Sequence, residues 1–340
     1  MQATIEEMRA ATADEWDRHW VSCATATYFQ SRAWAEVWAT YGPSELHPDA
    51  RLVRFDDGLE AVLPLSRQRV LGGLVSRWWC SPMTTYGGWL CPGPLDPGHV
   101  EALCAFVRER LGCVTWRMNP FAAAPSRLSD EWSYEPDKTL AVALGCGYDE
   151  LHRACAHGHR RAARRAEREG VVVRPAATHD DWAAYVAAYE DSRRRWGTAE
   201  GHGAGLFDEF ERRAGDWCRL WVAEAEGEVL GGLLCLYAPR HVACWHAAVF
   251  EEALERHPMP LVFLTAMEDA CARGAEWFDF NPSKGLAGVE EFKRRFGAQP
   301  LSCPVLRCER GLGVRTWRLL RRVTGRGPAQ GSLTSGVAPQ

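Results

Sequence analysis

The chain has 340 residues, 46% hydrophobic and 25% charged, with a net charge of −4 at neutral pH. That length suits two soluble domains better than one core, and the acidic balance excludes a global basic field for nucleic acid. Thirteen cysteines without a CxxC pair or metal-type spacing, and no leader read at the start, point to buried thiols in a reducing cytoplasm.

No apolar run reaches membrane-spanning length. The sixteen tryptophans are either bulky core and interdomain side chains or the aromatic walls of a cleft. MQATIEEMRAATADEWDRHW reads as a lead-in strand or coil, then a helix capped at Thr12 or Asp14. In YFQSRAWAEVWATYG, Phe29, Ala33, Val37 and Tyr41 recur at helical spacing, and Gly42-Pro43 marks the stop. ARLVRFDDGLEAVLPLSRQRV predicts a hairpin folded about Asp57-Gly58. An irregular aromatic, glycine-rich crossing follows, then an amphipathic helix, HVEALCAFVRERLG, and a strand, CVTWRMNP. A Pro- and Ser-containing connection leads to a strand near Thr139 to Leu144.

The second half repeats that order. DWAAYVAAYEDSRRRWG predicts a helix with a glycine stop, and CRLWVAEAEGEVLGGLLCLYA a hairpin about Glu226-Gly227. MPLVFLTAMEDACARG is an amphipathic helix and AEWFDFNP its strand. Both halves therefore end as helix, glycine, strand, Asn-Pro, from Gly112 to Asn119-Pro120 and from Gly274 to Asn281-Pro282, with identical spacing. Such order with spacing indicates an internal repeat of a large unit; chance likeness of common elements is the alternative. NPSKGLAG then reads as a loop, and VEEFKRRFG as a short helix closed by Gly297. The expected division is 1–130, 131–326 and a disordered Gly/Ser/Pro-rich tail over 327–340.

Several side chains could carry chemistry. Arg160, Arg164 and Arg168 share a helix face, with Arg161 and Arg165 beside them, behind His157 and His159. The stripe is either a solvated face or a phosphate-binding surface for RNA, nucleotide or coenzyme, and both readings stand. Lys293 falls between Phe292 and Phe296, so its stem packs on aromatic surface and its head is placed. A placed ammonium can polarise an ester or thioester carbonyl; the plainer alternative is a surface lysine paired with Glu290 or Asp279. Asp279 is expected to be a partly buried carboxylate that holds Lys293 or an arginine, or acts as general base. His246 lies in a strand-like run with Trp245 on the opposite face, a core histidine by its setting and an acid–base candidate by its chemistry. No Ser-His-Asp order, nucleophile elbow, HExxH, strand-borne GxGxxG or Walker sequence occurs, so a covalent mechanism and a metal site have no support.

DFNPSKG followed by GVEEFKRRFGA resembles the C-terminal signature of the Fem-type transferases, relatives of the GNAT acyltransferase fold. YFQSRAWAEVW, EAVLPL, TTYGGWL, RRAARRAEREGVVVR and PLVFLTAMEDACARGAEWFDF are similar to further Fem segments. The likeness is patchy over nearly the whole chain and densest between residues 140 and 298. It implies an α/β fold of two tandem GNAT-like domains, with mixed, mostly antiparallel sheets flanked by helices and a cleft between or beside them. It further implies transfer of an acyl or aminoacyl group to an amine, with no tightly bound cofactor.

In the Fem family the donor is aminoacyl-tRNA and the Phe-Lys pair of the signature serves the catalytic site, which corresponds to Phe292 and Lys293. Phe296, Trp245, Asn281, Ser283, Lys284 and Tyr86 are further candidate substrate contacts. The resemblance also makes the run Arg193-Arg194-Arg195-Trp196, with Arg195 and Trp196 as its candidates, a loose counterpart of an acceptor-binding helix end. Coenzyme-A-dependent relatives carry a glycine-rich pyrophosphate turn where this chain has ALERHPMPLVFL. Aminoacyl-tRNA is thus the expected donor and partner, with acyl-CoA as the alternative. The acceptor is a small molecule, peptide or cell-wall precursor amine, and the lack of a long helical hairpin favours a small one. A third reading is a non-catalytic RNA- or peptide-binding module: a filled site at Lys293 would favour it, an open cleft lined by Trp245, Ser283 and Lys284 catalysis.

Overall fold

The computed structural model describes residues 3–42, 46–70, 73–125, 128–197, 201–283 and 285–309. The predicted tail and Lys284 lie outside them, as does the side chain of Trp196.

In the first half, β1 (Ile5–Ala10) precedes α1 (Ala13–Ser22), where Thr12 and Glu15 cap each other's backbone reciprocally. Ser31 caps α2 (Arg32–Tyr41), which buries Trp34, Val37 and Trp38. After β2 (Leu46–Pro48), the expected hairpin forms from β3 (Arg51–Phe55) and β4 (Glu60–Leu63). Its apolar second run is split: Pro64 has no N–H to give a ladder, and the chain restarts as β5 (Ser66–Val70) in another sheet. β6 (Val75–Trp79), β7 (Tyr86–Gly87), α3 (Pro97–Phe106), β8 (Cys113–Met118) and β9 (Ser133–Glu135) complete this half.

The second half runs β10 (Lys138–Ala143), α4 (Tyr148–Ala154), α5 (His157–Arg168), β11 (Val172–Pro175), α6 (His179–Trp196), α7 (Ala204–Glu211), β12 (Cys218–Ala225), β13 (Glu228–Tyr237) and β14 (His241–Val249). α8 (Pro258–Ala272), β15 (Trp277–Asp279), α9 (Ala287–Arg294), β16 (Gln299–Ser302) and β17 (Val305–Glu309) follow. The sheet order is β11-β12-β13-β14-β15-β10-β16, antiparallel wherever pairing is resolved except between β14 and β15. One face of this sheet carries an apolar core shared with α5, α8 and α9, built on Ala163, Val262, Phe263, Phe278, Phe280 and Phe296. Tyr185 and Tyr189 of α6 and Phe207 and Phe210 of α7 pack with residues of β14 on the other face.

Contacts divide the chain into two units: among the described residues, 3–138 with 302–309, and 139–301. The expectation of a boundary near 130 and a second domain running to 326 did not anticipate the return. β17 inserts between β8 and β9, antiparallel to both, and buries Leu306 and Cys308 in the first unit's core. The repeat is visible in the backbone. Gly112 (φ 68) and Gly274 (φ 74) take left-handed turns before β8 and β15, and each strand leads to a buried asparagine. Asn119 Nδ2 donates to Thr25 O and Asn281 Nδ2 to Cys244 O, each at 2.7 Å.

Candidate active site

The second unit's site is built where β14 and β15 part. Their parallel pairing runs from His241 opposite Trp277 to Ala243 opposite Asp279 and then stops. Asn281, at φ 60, turns the chain away in a conformation asparagine tolerates better than most side chains. Its amide bridges to Cys244 O, one residue beyond the last pair. Asp279, 1% exposed, builds this turn: its Oδ1 accepts from the Asn281 N–H (3.0 Å) and from the Thr139 hydroxyl. A turn-building carboxylate matches the holding role more than that of a base, and its charge also favours the ammonium of Lys293.

α9 brings Lys293 beneath the same turn. Glu290 lies in its first turn and Lys293 and Arg294 in its last, complementing the helix dipole, and Gly297 (φ 87) ends the segment. Lys293 is fully buried, and its Nζ donates to Asn281 O (2.7 Å) and Ser283 Oγ (2.8 Å). Burial lowers its pKa to about 8 against the raising influence of Cys244, Asp279 and Glu290. The head is placed, as expected, but neither on the surface nor in a carboxylate pair: it is sealed under the 281–283 loop. Lys293 itself is thus enclosed, with its ammonium bonded to one backbone carbonyl and one hydroxyl.

β14 departs from the predicted alternation. Leu234 faces His246 and Cys235 faces Cys244, so Trp245 is an extra residue, a bulge. Before it Val242 and Cys244 point into the α8-side core, and after it Ala247 and Val249 do. Trp245 and His246 consequently turn to the same face, not to opposite ones, and both rings lie against His202 (5.4 and 6.5 Å). His246 is 2% exposed, with Nδ1 2.5 Å from the Tyr185 hydroxyl. Burial and His202 push its pKa down to about 3, so it is a neutral, bonded core group at physiological pH. Tyr185, Thr139 and His202 were not read from the sequence, because nothing local marks partners separated by 61 or 140 residues.

The remaining candidates divide. Phe296 is 1% exposed and packs on Phe263, Phe280 and His159 as core, while the half-buried Phe292 joins the same cluster. Arg195 ties α6 to β14 through Val249 O (2.5 Å), and its head also meets Ser192 Oγ (3.0 Å) and Asp191 Oδ2 (3.5 Å) within α6. Tyr86 is buried in the first unit beside Phe29 at 5.5 Å, outside the second unit's cluster.

α5 joins the cationic stripe to this site. His159 Nε2 lies 3.0 Å from Phe292 O, and Ala156 N–H donates to Arg295 O, so the first turn of α5 docks on α9. Its outer face holds a shallow concavity of about 540 Å³ lined by His157, Arg160, Arg161, Arg164, Glu167 and Arg168. Arg165 pairs with Glu169 at 2.6 Å, whereas among the described residues Arg161, Arg164 and Arg168 have no acidic partner.

Residues 153–294 match the model of the acetyltransferase (GNAT) domain family. The fold is similar to that in the solved structure of FemX, at 14% identity over 94% of this chain and 100% of that chain, with a TM-score of 0.71. A conserved protein of unknown function from Bacteroides thetaiotaomicron is similar at 10% identity, over 90% of this chain and 100% of that one, with a TM-score of 0.60. No curated protein matches the chain. The second unit is thus GNAT-like, and the two α/β units together share the fold of FemX.

Proposed function

Because residues 153–294 form an acyltransferase domain of the GNAT type, we propose that this protein moves an aminoacyl group from aminoacyl-tRNA to an amine acceptor. The observation that carries this donor is the face of α5: arginines without acidic partners around a concavity, on a helix docked to the one that bears Lys293. Arginines not consumed by ion pairs can neutralise backbone phosphates and release their condensed counterions. The start of α8 supports the same choice over coenzyme A. Pro258 and Pro260 remove two of its first four amide donors, and Glu251 and Glu252 sit just ahead of it. The attacking amine needs no enzyme nucleophile, so the protein contributes positioning and charge. The acceptor is a small amine, or a peptide or cell-wall precursor amine, met in the cytoplasm where charged tRNA is available.

Filter binding of tRNA charged with mixed radiolabelled amino acids, over a range of salt, tests the donor. Binding should weaken steeply with salt, and Arg161→Gln with Arg164→Gln should flatten the log–log slope by about 2, one for each lost phosphate contact. Absence of tRNA binding together with saturable coenzyme A binding would replace this donor by an acyl thioester and return α5 to a solvated face.

A further inference from the structure

The loop between β15 and α9 holds a hydrogen-bond donor that the chain does not consume. Ser283 Oγ accepts from Lys293 Nζ at 2.8 Å, which leaves the serine O–H to donate, and among the described residues it meets no acceptor. Lys293 is 0% exposed while Ser283 is 7% exposed, so the serine is the residue of the pair that retains accessible surface. The loop bearing it begins where β14 and β15 cease to pair, beside the Trp245 bulge. A hydroxyl that accepts from an ammonium is a polarised donor, since hydrogen bonds in a chain strengthen one another in a poorly solvated setting.

We propose that Ser283 is a catalytic residue whose hydroxyl donates to the carbonyl oxygen of the acyl donor, and that Lys293 is a positioning residue that acts through it. The proposal rests on the acyl-transfer reading. Attack by the neutral amine forms the nitrogen–carbon bond and moves the carbonyl pair onto oxygen, where the Ser283 O–H meets it. Collapse returns that pair and breaks the bond from carbon to the carrier oxygen. The carrier leaves with the bonding pair and takes the proton that the amine gives up, so no further reactant enters. A direct contact of Lys293 with substrate would require the ammonium to abandon Asn281 O and Ser283 Oγ. Transmission through the serine needs no such rearrangement.

The test uses the full chain, tRNA charged with mixed radiolabelled amino acids, acetyl-CoA in parallel, and a panel of primary amines as acceptors. Ser283→Ala should lower kcat about 10²–10³-fold with little change in KM for the donor, the signature of an interaction made in the transition state. Ser283→Thr should recover most of the rate. Ser283→Ala combined with Lys293→Met should be no slower than Lys293→Met alone, because the two act as one unit. An unchanged kcat in Ser283→Ala beside an active wild type overturns the proposal and leaves the acyl-transfer reading standing. A wild type inactive with every donor and amine overturns that reading and the proposal together.

Discussion

Lys293 sits fully buried with its pKa lowered to about 8 from an ordinary 10.5, so the folded protein holds this proton less tightly than the unfolded chain does. Between those values the unfolded state binds more protons, and stability must rise with pH across that window. The penalty for keeping the charge below pH 8 corresponds to roughly 3 kcal/mol, a cost the fold accepts at one residue. Urea unfolding of the wild type should therefore show stability increasing between pH 8 and 10.5, with Lys293→Met flat over the same range. Its stability at pH 7 should stay near that of the wild type, because relief of the buried charge offsets the orphaned acceptors at Asn281 O and Ser283 Oγ. Activity should run the other way, with kcat falling as pH rises through about 8 and the ammonium is lost. A wild-type kcat that keeps rising past pH 9, beside an unchanged stability curve, would show that the charge is not used.

At the scale of elements, the site depends on two irregularities, the bulge at Trp245 and the left-handed Asn281, that open the sheet between β14 and β15. Asn281 combines a backbone conformation that disfavours most side chains with an amide that satisfies the buried Cys244 carbonyl. Asn281→Gly removes only the bond, whereas Asn281→Ala removes the bond and adds left-handed strain of about 1 kcal/mol. Both variants should lose turnover, and the alanine variant should unfold at lower urea than the glycine one with the same m-value; equal midpoints would mean that the backbone conformation relaxes at no cost. These contributions explain what could be read from the sequence and what could not. Helix caps, glycine stops and Asn-Pro turns rest on chemistry within a few residues, so the succession from Gly274 to Asn281 was readable, as was Lys293 between its phenylalanines. The bulge is a property of register between β13 and β14, and the partners Thr139 with Asp279 and Tyr185 with His246 meet only after folding. Period-two alternation put Trp245 and His246 on opposite faces because a single inserted residue leaves no trace in composition.

For the whole molecule, the return of the chain at β17 makes the first unit depend on residues that follow the site. Val305, Leu306 and Cys308 are all buried, and β17 supplies hydrogen bonds to both β8 and β9. Leu306, fully buried, faces Trp116 on β8 and Tyr134 on β9. A carboxylate there would enter the apolar cluster that holds Leu63, Leu103 and Trp116, a cost of several kcal/mol. Leu306→Asp should therefore act on residues far upstream in sequence. Hydrogen exchange followed by mass spectrometry should show protection falling first in peptides from β5, β6 and β8, before those from β12 to β14. Loss of protection beginning in β12 to β14 would mean that the last strand belongs energetically to the second unit, as its place in the sequence suggests. If the upstream peptides open first, a substitution thirteen residues beyond Lys293 will have weakened the sheet of the first half. Among the described residues the first unit would then be specified by two separated stretches, with the whole of the second inserted between them.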